Sequence, residues 1–170
     1  MSKASRWRAG RTLRLPQGAT WEERLALVKS TWALHPFWKL LGIEPVDLGP
    51  GYSKLRVAFD PAKHGPWPHG GLLSGLVDTS IALALYTTYG PEDEDVVAHA
   101  TADLNVSFLD SMQGDELFAE GRIIRKARIA AFGSSEIRDS KGTLIAVGRA
   151  TFLIRRQPQG GPGQTKGGPD

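Results

Sequence analysis

The stretch from Gly70 to Tyr86 is apolar on nearly every side and carries one formal charge, Asp78, the only one between Lys63 and Glu92. At 3.6 residues per turn it makes a helix of about four to five turns. A helix without a polar face must be buried over most of its surface, so the rest of the chain has to supply a layer that wraps it. A membrane span needs about 20 apolar residues. This stretch is shorter, holds Ser74, Thr79 and Ser80 besides the aspartate, and is flanked by segments with polar faces. It predicts a central core helix and no membrane span.

The flanking segments read as strands. Ser53 to Phe59 alternates Leu55, Val57 and Phe59 against Lys54 and Arg56, and residues 43–49 can pair with it across Gly49-Pro50-Gly51. Val96 to Leu109 alternates over a long stretch. Ala98, Ala100, Ala102, Leu104, Val106 and Phe108 are predicted on one face, and His99, Thr101, Asp103, Asn105 and Ser107 on the other. Leu117 to Ile124 is a further strand. Ile129 to Arg138 and Thr143 to Ile154 flank a hairpin turn at Asp139-Ser140-Lys141-Gly142. Five or six mostly antiparallel strands around one helix make an α+β domain. An extra helix precedes it. Thr20 and Glu23 form a capping box, and Trp21, Leu25, Val28 and Trp32 recur at helical spacing to about Ala33.

The predicted domain covers residues 20–157. Residues 1–19 form a basic flexible arm with Lys3, Arg6, Arg8, Arg11 and Arg14 and no acid, and residues 158–170 form a disordered tail rich in glycine and proline. The net charge of +3 comes from the arm and leaves the body slightly acidic. A nucleic-acid or membrane-surface role through residues 1–14 is therefore the minor reading. There is no cysteine, which excludes a disulfide scaffold, a cysteine nucleophile and thiolate metal sites, and fits a reducing compartment. No apolar signal segment follows Met1. The expected location is cytoplasmic.

Burying a carboxylate without a task or partners is costly, which makes Asp78 the first catalytic candidate. Desolvation would raise its basicity. The second feature is Pro68-His69-Gly70-Gly71 at the helix start. The first amides of a helix lack internal acceptors and lie at the positive end of its dipole, so they can hold an oxyanion. A preorganised donor of this kind contributes a rate factor of order 10²–10³, and a general base about 10²–10⁴. The spacing of His64, His69 and His99 does not match zinc ligands, so neither metal nor cofactor is expected.

His69-Gly70-Gly71, six intervening residues, and then Asp78 in an apolar helix resembles the hotdog-fold acyl-CoA thioesterases, in particular the phenylacetic-acid-degradation type. Ala100 to Leu109 followed by Gly114-Asp115, and Gly142-Thr143-Leu144-Ile145-Ala146 through Thr151-Phe152, are similar to the same family. The resemblance covers about residues 35–156. It implies a curved antiparallel sheet around the central helix. It also implies a homodimer or a dimer of dimers (a homotetramer), with sheets joined edge to edge and active sites at the subunit interface. Asp78 would act as nucleophile or general base on an acyl-CoA or aryl-acyl-CoA thioester. The Gly71 N–H would polarise the carbonyl, His69 and Gly70 would shape the pocket, and Thr101 would stand near the reacting water. The family commonly has an asparagine about six residues before the histidine of this motif. Here Lys63 holds that position, or His64 with a one-residue shift.

Coenzyme A is polyanionic. Arg125, Lys126 and Arg128, with Arg122, form a basic cluster suited to its phosphates. Trp67, Phe59 and Tyr86 can line an acyl pocket. Two other readings stay open: a non-catalytic acyl-CoA-binding hotdog protein, and a hotdog enoyl-CoA hydratase in which His69 and Asp78 pair as acid and base.

Overall fold

A computed structural model describes residues 15–32 and 35–157. Nearly all of the basic arm and the glycine- and proline-rich tail lie outside these residues. Leu15 is already buried in the core and the Gln17 side-chain amide donates to the Tyr89 carbonyl at 3.3 Å. Packing therefore begins by Leu15, upstream of the capping box.

That box forms in full. The Thr20 N–H donates to the Glu23 carboxylate at 2.8 Å and the Glu23 N–H to the Thr20 hydroxyl at 3.2 Å, opening helix α1 (Trp21–Trp32). A short helix α2 (Pro36–Leu41) follows. It is absent from the sequence reading, although its two markers are present: Pro36 in the first turn, and Gly42 in the left-handed conformation (φ 67°) at the end. Next come strands β1 (Ile43–Gly49) and β2 (Tyr52–Ala58), a single helical turn α3 (Pro61–His64), and the central helix α4 (Gly70–Tyr86). After a 3-10 turn at Pro91–Asp93 the chain forms β3 (Val96–Phe108), β4 (Glu116–Lys126), β5 (Ala130–Asp139) and β6 (Leu144–Arg156). The strands make one antiparallel sheet in the order β1-β2-β4-β5-β6-β3. This is the predicted α+β hotdog architecture, with the apolar helix inside the sheet's concave face. Helix α1 packs against β1. Among the described residues, β3 pairs only with β6, which leaves its other edge open there.

The close fit of α4 depends on a row of small residues that crosses four neighbouring strands in register: Ser53, Gly121, Ser135 and Gly148. A methyl group at Gly121 would overlap the Ser80 carbonyl, and one at Gly148 would overlap Val77. Gly133, outside this row, has the same relation to Ile81. Polar groups in the seam are satisfied locally. The Ser53 hydroxyl donates to the Ser80 carbonyl at 2.7 Å, and the Ser80 and Ser135 hydroxyls share a hydrogen bond of 2.8 Å. Leu76, Val77, Ile81 and Leu85 of the helix are fully buried against Leu55, Leu117, Ile137 and Phe152.

Strand β3 departs from the predicted alternation. Ala102 has no register partner, so the pairing steps from Thr101 opposite Phe152 to Asp103 opposite Thr151. Cross-strand partners share a face. His99 and Thr101 therefore point inward with their buried partners Ile154 and Phe152. Beyond the bulge Leu104, Val106 and Phe108 point inward as well, opposite Ala150, Gly148 and Ala146. This extra residue reverses the facing of the strand before it, until a second register shift between Val96 and Ala98 leaves Val96 buried. His99 and Thr101 thus leave the polar outer face assigned to them by alternation and turn toward α4.

No helix of the described residues is long and apolar enough to cross a membrane. The small-residue row yields a direct expectation. Gly121→Ala should destabilise the fold by about 1–3 kcal/mol, because the colliding atoms are backbone and cannot rotate away. Urea unfolding of the variant against wild type measures this loss. An unchanged midpoint would show that the helix is not held at this distance.

Candidate active site

Helix α4 turns one stripe, Asp78, Ala82 and Tyr86, toward β3, with Thr79 and Leu83 beside it. On the strand, the inward-turned His99 and Thr101 oppose this stripe. Trp32 of α1, His35 at the N-cap of α2, Trp38 of α2 and Phe152 of β6 complete the walls of a cavity of about 540 Å³. Trp38 is stacked between Trp32, at 3.8 Å between ring centroids, and His35, at 3.6 Å. Helix α2 in turn rests on α4 where Gly75 has no side chain, with Phe37 and Leu41 against it.

Among the described residues, Asp78 is the only carboxylate lining this cavity. Its Oδ1 accepts a 2.6 Å hydrogen bond from the Thr101 hydroxyl. Burial raises its pKa above the ordinary aspartate value, and the threonine hydrogen bond pulls partly the other way. The result is a carboxylate of increased basicity whose second oxygen has no hydrogen bond among the described residues. His99 lies two residues from Thr101 on the same strand face. Burial lowers its pKa to about 4, so its ring is neutral at pH 7. Its Nδ1 is 3.0 Å from the Tyr89 hydroxyl, and its ring packs against Tyr86.

The remaining predicted site residues lie elsewhere in the single chain. His69 caps α4, and its Nδ1 accepts from the Gly71 N–H at 2.9 Å, so that amide is occupied. Gly71 is seven residues from Asp78, about 10 Å along the helix axis at 1.5 Å per residue. Gly70 packs under the Phe108 ring, beside an exposed Trp67 (73% accessible). His64 is buried. Its Nδ1 accepts from the Asp60 N–H at 3.0 Å, which leaves Nε2 to donate to the Leu41 carbonyl at 3.0 Å. Both ring nitrogens thus serve the backbone. Lys63 is exposed.

Of the basic cluster, Lys126 is bound to the buried Asp93 and donates to the Thr88 carbonyl at 2.8 Å, behind the Tyr89 ring. Burial alone would raise the Asp93 pKa, but Lys126, the Gly90 amide and Arg156 hold it below the usual range. Arg128 is 3.8 Å from Asp95, and Arg125 is exposed. Phe59 lies against His64, away from the cavity. Sequence reading brings together Asp78, Thr101 and Tyr86. It misses His99, Trp32, Trp38 and His35 as cavity residues, and nothing local to their sequence marks them. Among the described residues, no three His, Asp or Glu side chains converge as a metal-binding group.

Residues 68–146 match the family model described as "Thioesterase superfamily". A Halobacterium salinarum protein named "Putative esterase VNG_1336C" is 31% identical over 147 residues, covering 79% of this chain and 95% of that protein. The chain belongs to the thioesterase superfamily. The solved structure of a thioesterase family protein from Silicibacter pomeroyi shares the fold, with a TM-score of 0.67 and 23% identity over 78% of this chain and 99% of that one. So does the E. coli PaaI protein from the phenylacetic acid degradation operon, with a TM-score of 0.67 and 18% identity over 80% of this chain and 96% of that one. The matched segment begins at the helix cap and includes Asp78 and Thr101. It excludes α1, α2 and the end of β6, so Trp32, Trp38 and Phe152 of the cavity wall come from outside the matched region, while Tyr86 and His99 lie within it.

The raised pKa of Asp78 has a stability consequence. A carboxyl group whose folded pKa lies above its unfolded one favours the fold fully at low pH and loses that contribution as pH rises through the folded value. At pH 7 the ionised Asp78 is therefore a liability to the fold. Asp78→Asn keeps an acceptor for Thr101 and should melt at the same temperature as wild type or higher at pH 7. Thermal unfolding checks this, and a clear drop would mean that Asp78 is a structural residue.

Proposed function

We propose that this thioesterase-superfamily hydrolase cleaves acyl-CoA thioesters, with Asp78 as the catalytic carboxylate. The observation that carries the reading is a desolvated carboxylate, held by one hydroxyl, at the wall of an aromatic-lined cavity. As general base, Asp78 takes a proton from water, which adds to the thioester carbonyl. As nucleophile, it adds directly and leaves an anhydride for water to cleave. In both cases the C–S bond breaks and the CoA thiolate leaves with a proton from solvent. Thr101 orients the carboxylate and limits the rise of its pKa, so that enough base is present near neutrality.

The oxyanion donor in this reading is the Gly71 amide of a second copy. Two observations support a second copy. Within one chain Gly71 is about two helical turns from Asp78. The free edge of β3 also carries exposed Phe108 (56% accessible) and Leu104 beside exposed Trp67, a surface that pairing with another β3 would cover. The His69 ring must turn aside for the Gly71 N–H to face a carbonyl. A dimer joined through β3, or a dimer of dimers, is the assembly expected.

A thiol-release assay over a panel of acyl- and aryl-acyl-CoA esters tests the activity. Asp78→Asn should lose about 10²–10⁴ in kcat, and background rates for wild type across the panel would remove the assignment. The pH profile tests Thr101. Activity requires ionised Asp78, so kcat/KM should fall on the acid side with a midpoint above the ordinary aspartate pKa. Thr101→Val removes the one interaction that lowers that pKa, so its acid limb should move to higher pH, while Thr101→Ser keeps the wild-type position. An acid limb that does not move in Thr101→Val would separate Thr101 from the working carboxylate.

A further inference from the structure

We propose that His64 is a positioning residue that clasps α2 and so holds the Trp38 wall in place over the cavity of Asp78. The inference rests on the thioester-cleaving reading above for the task of that cavity, and extends it to what keeps the cavity in shape. Helix α2 has six residues, none of them buried. A helix so short is not stable by itself in water. It nevertheless carries Trp38, which stacks on Trp32 and lines the same cavity as Asp78. It rests on α4 through Phe37 and Leu41 over Gly75, and Phe37 is itself 49% exposed.

His64 supplies a tie from outside the helix. The last carbonyls of a helix have no donor within it. At the end of α2 the Gly42 N–H serves the Lys39 and Trp38 carbonyls, and the Leu41 carbonyl accepts from His64 Nε2 at 3.0 Å. The other ring nitrogen accepts from the N–H of Asp60, whose side chain caps α3 by accepting from the Ala62 N–H at 2.9 Å. The chain entering α3 is anchored to the loop before β4, where the Phe59 N–H donates to the Asp115 carbonyl at 2.9 Å. One imidazole thus joins an anchored turn to a helix 23 positions earlier in the chain. The ring is buried, so water does not readily replace either bond. A wall that touches substrate and transition state equally supplies uniform binding. Loosening it raises KM and spares kcat.

Two substitutions separate the two bonds. His64→Asn keeps an acceptor where Nδ1 stands but is too short to reach Leu41. His64→Gln carries a donor out to the Nε2 position and gives up the Asp60 bond. Amide hydrogen exchange read by mass spectrometry reports on α2 directly, through the Lys39 and Gly42 amides that close its turns. In His64→Asn this segment should exchange about 10-fold faster, with α4 and the sheet unchanged. KM for the best ester of the thiol-release panel should rise about 3- to 10-fold while kcat stays within about twofold. His64→Gln should match wild type in both. Trp38→Ala should raise KM on its own and remove the further effect of His64→Asn, since both act through one wall. If His64→Asn does not fold, His64→Gln decides alone: wild-type exchange and KM support the clasp, and loss of either overturns it. Unchanged α2 exchange in His64→Asn would also overturn it, as would faster exchange throughout the domain or a fall in kcat at constant KM. Background rates for wild type across the panel would remove the thioesterase reading, and the exchange data would then still decide whether His64 holds α2.

Discussion

The distance at which the central helix rests on its sheet sets everything else in this molecule. That distance is short because Gly121 and Gly148 present no side chain where Ser80 and Val77 descend, and Gly133 yields in the same way to Ile81. The helix can then carry Leu76, Ile81 and Leu85 fully into the core while Ser80 bonds across the seam. A helix held on its buried side by four strands has little freedom to rotate. Its stripe of Asp78, Ala82 and Tyr86 is thereby aimed at β3, and a groove opens along the contact.

The chemistry of that groove follows from a second local feature, the bulge at Ala102. Without it, Thr101 would point away from the helix and Asp78 would lack its hydrogen bond. With it, a threonine and a neutral histidine enter the inner face of a strand whose remaining inward residues are Val96, Leu104, Val106 and Phe108. A single unpaired residue turns an apolar strand face into one end of a polar site. The far end is secured separately. Asp93, although buried, is neutralised by Lys126 and Arg156 and ties the turn after α4 to β4 and β6. This network fixes the backbone around Tyr89, which in turn positions the His99 ring.

Ion pairing also explains why the basic cluster near residue 125 is less uniform than its sequence suggests. Four cations in seven residues look equivalent on paper. In the fold Lys126 is committed to Asp93, Arg128 lies near Asp95, Arg122 covers the Tyr52 ring and lies 3.5 Å from Glu120, and Arg125, on an exposed surface, is the one of the four with no ion pair among the described residues. Local charge density does not report on partners contributed by a turn some thirty residues away.

The sequence by itself determined the core helix, because apolar residues on all sides leave a 17-residue segment no stable place but the interior. It also determined the capping box at Thr20, the hairpin turn at Asp139–Gly142 and the strand pair around Gly49-Pro50-Gly51, since each depends on residues adjacent in the chain. It singled out Asp78, whose isolation is a property of composition alone. Tertiary structure decided what surrounds that carboxylate. The bulge at Ala102 exists only through pairing with β6, the small-residue row forms only when four strands align, and the aromatic wall joins Tyr86 to Trp32, Trp38 and Phe152 from outside the thioesterase-matched segment. Periodicity is a local signal, and these three features arise from contacts between residues far apart in sequence.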